Sequence, residues 1–136
     1  MSRKSRYNQD LLLQKVIRWK AGCYVRLSKE DKEHMDSSQS VLSQKQMIEK
    51  FLRVHSDIEL YDYFVDDGYS GTDMERPEFQ RMKQAFEDGI INCIIIKDLS
   101  RLARNDEESG KYIFIIFPFY NIRFISVNDH VDSYER

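Results

Sequence analysis

Cys23-Tyr24-Val25-Arg26-Leu27-Ser28 alternates apolar and polar side chains along one short run. A strand sends successive side chains to opposite faces, so Tyr24, Arg26 and Ser28 share one face and Cys23, Val25 and Leu27 the other. On this reading one face packs and the other is available for chemistry. The end of a first strand is where an open α/β sheet places its ligand-binding groups, and Arg26 and Ser28 stand there.

Outward from that run, strands and helices alternate. Gly22 to Leu27 reads as strand one, followed by a polar loop from Lys29 to Ser40. Val41 to His55 places Leu42, Met47, Ile48, Phe51 and Leu52 on one helical face, with Ser37, Ser38 or Ser40 as its cap. Ile58 to Val65 is strand two, and the glycine- and aspartate-rich stretch from Asp66 to Arg76 is a loop. Pro77 suits a first helical turn, Phe79, Met82, Ala85 and Phe86 form the buried stripe, and Gly89 suits the stop.

Cys93 to Ile96 is a continuous apolar run, as expected of a central parallel strand buried on both faces. A further helix, Asp106 to Phe117, is expected to end before Pro118, and Ile122 to Val127 is the fourth strand. The expected fold is therefore α/β: three layers, a mostly parallel sheet of four or five strands, right-handed crossovers and helices on both faces, in a flavodoxin-like layout. Ser28, the Asp67 to Arg76 loop and the Asp98 to Arg104 segment each follow a strand, so they converge on one rim, bordered by Asn128 and Asp129.

A chain of 136 residues suits one domain, and 41% hydrophobic with 32% charged residues is ordinary for a soluble protein. No apolar stretch is long enough to span a bilayer. The basic start carries Leu11 to Leu13, but Gln14, Lys15, Arg18 and Lys20 interrupt any signal-peptide core, so the expectation is a cytoplasmic protein with no membrane partner. Residues 1–21 read as a basic leader and 22–136 as the domain. A net charge of −2 argues against gripping DNA by bulk electrostatics alone. Cys23 and Cys93 have no CxxC partner, and His34, His55 and His130 have no ligand-like spacing. Two reduced core thiols are therefore expected, with no metal and no cofactor.

Chemistry concentrates in Lys97-Asp98-Leu99-Ser100-Arg101-Leu102-Ala103-Arg104. Arg101 and Arg104 share a face if this segment is helical. Guanidiniums are planar, bidentate and permanently charged, so Arg26, Arg76, Arg101 and Arg104 together would stabilise the charge of a phosphoryl-transfer transition state. No histidine lies near these motifs and no GxSxG occurs, which sets aside a serine-histidine-acid triad. Neither GxGxxG nor GxxxxGK[ST] is present to cradle a nucleotide. Tyr24 serves equally as a core aromatic or as a site residue. Tyr112, Phe114, Phe117, Phe119 and Tyr120 read as core or interface packing.

Four blocks in this order and spacing resemble the catalytic domain of the serine recombinases, the resolvase and invertase group, and especially the large serine recombinases of mobile elements. They are Tyr24-Val-Arg-Leu-Ser28, Ser43-Gln44, Asp67-Gly-Tyr-Ser-Gly with Arg76-Pro77, and Asp98-Leu-Ser-Arg101-Leu-Ala-Arg104. The resemblance runs from about Ala21 to Ser133. It implies that Ser28 attacks a DNA phosphodiester to form a 5′-phosphoserine link, followed by strand exchange and religation without metal or ATP. It also implies that Tyr24, Arg26, Gln44, Asp67, Ser70, Arg76, Arg101 and Arg104 surround the scissile phosphate. Double-stranded DNA and self-association, to a dimer and a synaptic tetramer, follow as expected partners.

The resemblance departs at one position, where resolvases and invertases carry an aspartate and this chain has Ser100; Asp98 or Asp67 would have to supply the acid. The family's long helix and DNA-binding domains are expected beyond residue 136, so this chain alone is not expected to complete recombination. The rival reading is a non-catalytic phosphate-binding or DNA-associated regulatory module of flavodoxin-like shape. Geometry separates the two: the recombinase reading expects Ser28 and the guanidiniums of Arg26, Arg101 and Arg104 on one solvent-open rim.

Overall fold

The alternating run at residues 23–28 belongs to β1, Trp19–Arg26, in a computed structural model of the chain. The structure describes residues 18–27, 40–67, 76–103 and 105–134. In chain order there follow α1 (Val41–Arg53), β2 (Ile58–Asp66), α2 (Pro77–Glu87), β3 (Cys93–Ile96) and a single 3₁₀ turn (Leu99–Arg101). A helical path then runs through α3 (Asp106–Lys111), a π-helical stretch (Tyr112–Ile116) and α4 (Phe117–Phe119), before β4 (Arg123–Ser126) and β5 (Val131–Asp132).

The strand order is β2-β1-β3-β4-β5, with the first four parallel and β5 antiparallel at the edge. This α/β architecture matches the expected one. The chain leaves β1 towards β2 on one side and returns to β3 on the other, so the sheet reverses direction between β1 and β3. Such a reversal opens a crevice at the C-terminal ends of the two strands.

Both faces of β1 are packed, which corrects the expectation of one packing face and one reactive face. Tyr24, Phe64, Ile94, Ile96 and Phe124 meet Phe79, Met82 and Phe86 of α2 together with Leu102, Tyr112 and Phe117. On the opposite face Ala21, Cys23, Val25, Cys93, Ile95 and Ile125 meet Ile48, Phe51 and Leu52 of α1. A strand central to a parallel sheet has helices on both sides, so alternation along it cannot mark a solvent face. Gly22 is held by the same crowding: a Cβ there would stand 2.7 Å from Ile91 Cδ1 and 2.9 Å from Phe64 Cε2.

Local rules account for most boundaries. Ser40 is the cap of α1, its hydroxyl accepting from Ser43 N at 3.0 Å, and Lys50 and Arg53 in the last turn suit the helix dipole. Pro77 opens α2, and Gly89 turns with φ 76° beyond its end. The helix expected to stop before Pro118 instead continues through it. Phe117 N–H bonds to Tyr112 O across the wider π spacing, a place where the ladder absorbs a residue that lacks an N–H. β5 has only two residues, too few for a periodic signal, and it follows a turn in which His130 takes φ 53°. No described helix is long and apolar enough to cross a membrane.

Candidate active site

The 3₁₀ turn Leu99–Arg101 follows β3 at this crevice, and the carbonyls of residues 100 to 102 receive arginines from the end of β1 and the start of α2. From the end of β1, Arg26 donates Nη2 to Ser100 O and Nε to Arg101 O at 3.3 Å. From the start of α2, Arg76 donates Nη2 to Leu102 O at 2.7 Å. Arg101 reaches back, its Nη1 donating to Arg26 O at 3.2 Å, and Gln44 of α1 donates Nε2 to the same oxygen at 3.1 Å. Arg26, Arg76, Arg101 and Gln44 are thus joined in one network at the expected rim.

They are not solvent-open there. Arg76 and Arg101 are only 5% and 6% exposed, and Arg26 is 9% exposed. The expectation of an open rim is corrected for Arg26 and Arg101: like that of Arg76, each guanidinium reaches inward to a carbonyl, because a buried donor left unpaired is costly. Arg26 still lines a groove of about 520 Å³ with Ser100, Asn105, Ser109, Ile113 and Phe114. Arg101 lies in a single 3₁₀ turn rather than on a solvated helix face.

Arg76 is also conformationally unusual. It takes φ 42° and ψ 61° at the N-terminus of α2, a left-handed conformation that is rare for a residue with a Cβ and gathers at functional sites. Its guanidinium carbon lies 3.8 Å from the Phe79 ring centroid and 5.5 Å from that of Tyr24, and Glu108 Oε1 stands 3.7 Å from Nη1. Aromatic faces attract a guanidinium, and two of its buried nitrogens, Nε and Nη1, have no hydrogen-bond acceptor among the described residues.

Tyr24 is fully buried and donates its hydroxyl to Asp66 Oδ2 at 2.7 Å. Burial raises the Tyr24 pKa well above the ordinary phenol value, with the Asp66 contact adding to the rise and Arg76 opposing it. Asp66 is a residue that sequence reasoning passed over in favour of Asp67. Its carboxylate also accepts from Glu78 N and Phe79 N at 3.0 Å each, so it caps α2 from the end of β2. Nothing local signals this role, because cap and helix lie on opposite sides of the glycine loop. Asp67 is half-buried beside it. Ser28, Ser70 and Arg104 lie outside the described residues.

Asp98 caps the 3₁₀ turn, accepting from Ser100 N at 3.0 Å and from the Ser100 hydroxyl. Its Oδ1 is 3.8 Å from Arg101 Nε, an arginine of the network. The aromatics of this helical path divide: Tyr112 and Phe117 are core, whereas Phe114 and Phe119 are 79% and 75% exposed.

Residues 21–136 match the family model of the resolvase N-terminal domain. The chain belongs to the resolvase family. This resolvase-type chain is the catalytic domain of a site-specific DNA recombinase, and the phosphate-binding or regulatory alternative is not favoured. Comparison with the curated proteins finds no match. Among solved structures, it is similar to a resolvase family site-specific recombinase from Streptococcus pneumoniae, at 26% identity and TM-score 0.72 over 88% of this chain and 78% of the other. It is similar to the N-terminal catalytic domain of TP901-1 integrase, at 25% identity and TM-score 0.70 over 85% and 82%. The C-terminal catalytic domain of ISC1926 TnpA, an IS607-like serine recombinase, shares the fold at 18% identity and TM-score 0.60 over 79% and 70%.

Proposed function

We propose that this domain cuts and rejoins double-stranded DNA through Ser28. The Ser28 hydroxyl attacks the phosphorus of a phosphodiester, a Ser–O–P bond forms, and the bond to the 3′ oxygen breaks. That oxygen leaves as a 3′-hydroxyl after taking up a proton. Attack by a 3′-hydroxyl on the phosphoserine reverses the step after strand exchange. The phosphoester is retained in the protein–DNA link, so the reaction needs no ATP, and the arginine cluster takes the place of a metal ion. Arg26, Arg76, Arg101 and Arg104 offset the charge that builds on the phosphoryl oxygens, and Tyr24, Gln44, Asp67 and Ser70 complete the surroundings.

The observation that carries this reading is the convergence of Arg26, Arg76 and Arg101 on one turn at the β1/β3 crevice. Ser28 follows Arg26 by two residues in sequence. Carbonyl acceptors orient guanidiniums without cancelling their charge, which suits a site that must receive a phosphate. The domain acts in the cytoplasm and self-associates, as a dimer and then a synaptic tetramer; exposed Phe114, Ile115 and Phe119 are apolar surface such contacts would bury.

The test traps the intermediate on DNA carrying the recombination sites. Ser28→Ala is expected to keep DNA binding and to yield no covalent protein–DNA adduct. An adduct that persists in Ser28→Ala would assign the nucleophile to another residue.

A further inference from the structure

The arginine network rests on one short turn, and that turn is fastened from the end of β4, which borders the expected rim and supplies none of its arginines. Asp129, in the turn between β4 and β5, accepts from Leu99 N through Oδ2 at 2.7 Å. The same oxygen accepts from the Ser126 hydroxyl at 2.7 Å, and Ser126 is fully buried at the end of β4. The backbone continues the tie, with Val127 N–H bonded to Ile96 O at 3.0 Å and Asn128 N–H to Lys97 O at 2.8 Å. Asp129 therefore stands at a fixed distance from the end of β3 and grips the first residue of the turn.

Residues 100 to 102 then present three successive carbonyls, two to Arg26 and one to Arg76, while the Arg101 side chain returns to the end of β1. A shift of the turn would move all three guanidiniums together. A displacement of about 1 Å is enough to cost roughly a hundredfold in a positioned reaction. We propose that Asp129 is a positioning residue for the recombinase reaction: its carboxylate, bonded to Leu99 N, sets the turn that holds Arg26, Arg76 and Arg101 in place. The role deepens the Ser28 reading and rests on it. Asp129 is itself exposed and touches none of the arginines in the described contacts, so it acts through the turn.

Two measurements test this independently. The first observes the arginine Nε–H signals by NMR in the 136-residue chain, without DNA. Asp129→Ala is expected to shift or broaden the Arg26 and Arg101 signals and to speed exchange of the Leu99 amide, with the melting temperature unchanged. Asp129→Asn keeps an acceptor oxygen and should restore the spectrum, whereas Asp129→Glu keeps the charge, moves the oxygen by one methylene and should not. Arginine signals in Asp129→Ala identical to those of the parent would overturn the proposal.

The second measures adduct formation by recombination-competent protein on its DNA sites. Asp129→Ala should slow it by roughly ten- to a hundredfold with DNA binding unchanged, and Asp129→Asn should recover most of that loss. Parent-like cleavage by Asp129→Ala, alongside a blank Ser28→Ala, would remove Asp129 from the mechanism and leave the nucleophile standing. An adduct in Ser28→Ala would sink the nucleophile instead.

Discussion

Buried arginines occupy both ends of the sheet, and the two ends satisfy them differently. At the N-terminal ends of the strands, Arg123 donates Nε and Nη2 to Asp132 at 3.0 and 2.7 Å and Nη1 to Asp57 at 3.2 Å. The Trp19 and Tyr134 rings lie on it with centroids 5.3 and 4.9 Å away. Burial lowers the Arg123 pKa, but bonding to Asp132 and Asp57 outweighs that and the net shift is upward. At the C-terminal ends, Arg26, Arg76 and Arg101 donate hydrogen bonds to backbone carbonyls, and the carboxylates of Glu108 and Asp98 stand further off, 3.7 Å from Arg76 Nη1 and 3.8 Å from Arg101 Nε. Carboxylates at hydrogen-bond distance offset a guanidinium's charge and lock it into the fold; carbonyls fix its position, and carboxylates near 4 Å offset the charge less. Partner chemistry, more than burial, separates Arg123 from the arginines of the proposed phosphate site.

The contrast can be broken most directly by removing its structural half. Arg123→Ala leaves Asp132 nearly buried with its charge unpaired, so chemical denaturation should show a loss of about 3–5 kcal/mol. A loss no larger than that of an ordinary surface substitution would erase the distinction. At the other end, Arg26→Ala or Arg101→Ala should slow strand cleavage about 10²–10³-fold while costing less stability than Arg123→Ala. Arg26→Lys should recover little, because an ammonium cannot span the Ser100 and Arg101 carbonyls as a fork does.

Smaller effects sharpen the same comparison. Asp66→Asn replaces a carboxylate that accepts from Tyr24, Glu78 and Phe79, and an amide turned to any of these donors loses an acceptor. Unfolding free energy should fall by about 1–3 kcal/mol.

The pH response should be gentlest and alkaline. Burial pushes the Cys93 thiol up to about 12, with Arg123 opposing and Asp132 and Asp57 adding to the rise, and it also raises Cys23 and Tyr24. The folded protein then keeps protons that the unfolded chain releases above about pH 8.5 for thiols and about pH 10 for tyrosine. The stability due to these groups is complete below those values and is lost as pH rises towards and through the folded ones. Melting curves should show it, and Cys93→Val should flatten the thiol part. A melting temperature constant to pH 11 would argue against buried, protonated thiols.

Much of the fold was legible because its signals are local. Ser40 before an amphipathic run, Pro77 at a helix start, Gly89 at its end and the unbroken Cys93 to Ile96 run each act within a few residues. β5 and the continuation past Pro118 were not legible, the first being too short and the second depending on a π spacing that no periodicity announces. In the site, Arg26, Arg76, Arg101 and Gln44 were identifiable from their blocks and do meet. Asp129 was legible as a residue bordering the rim, but that it and Asp66 bond to backbone amides far along the chain leaves no mark on spacing.

By itself the sequence determined which side chains carry charge, which runs prefer strand or helix, and the order in which strand ends deliver arginines to a rim. Those are properties of residues and their near neighbours. The tertiary structure decided that β1 is packed on both faces, that the Arg26 and Arg76 guanidiniums turn inward to the carbonyls of one turn while Arg101 reaches back to β1, and that Arg123 is closed by carboxylates at the opposite end. A buried donor must find an acceptor, and which acceptor it finds depends on segments that meet only once the sheet has formed.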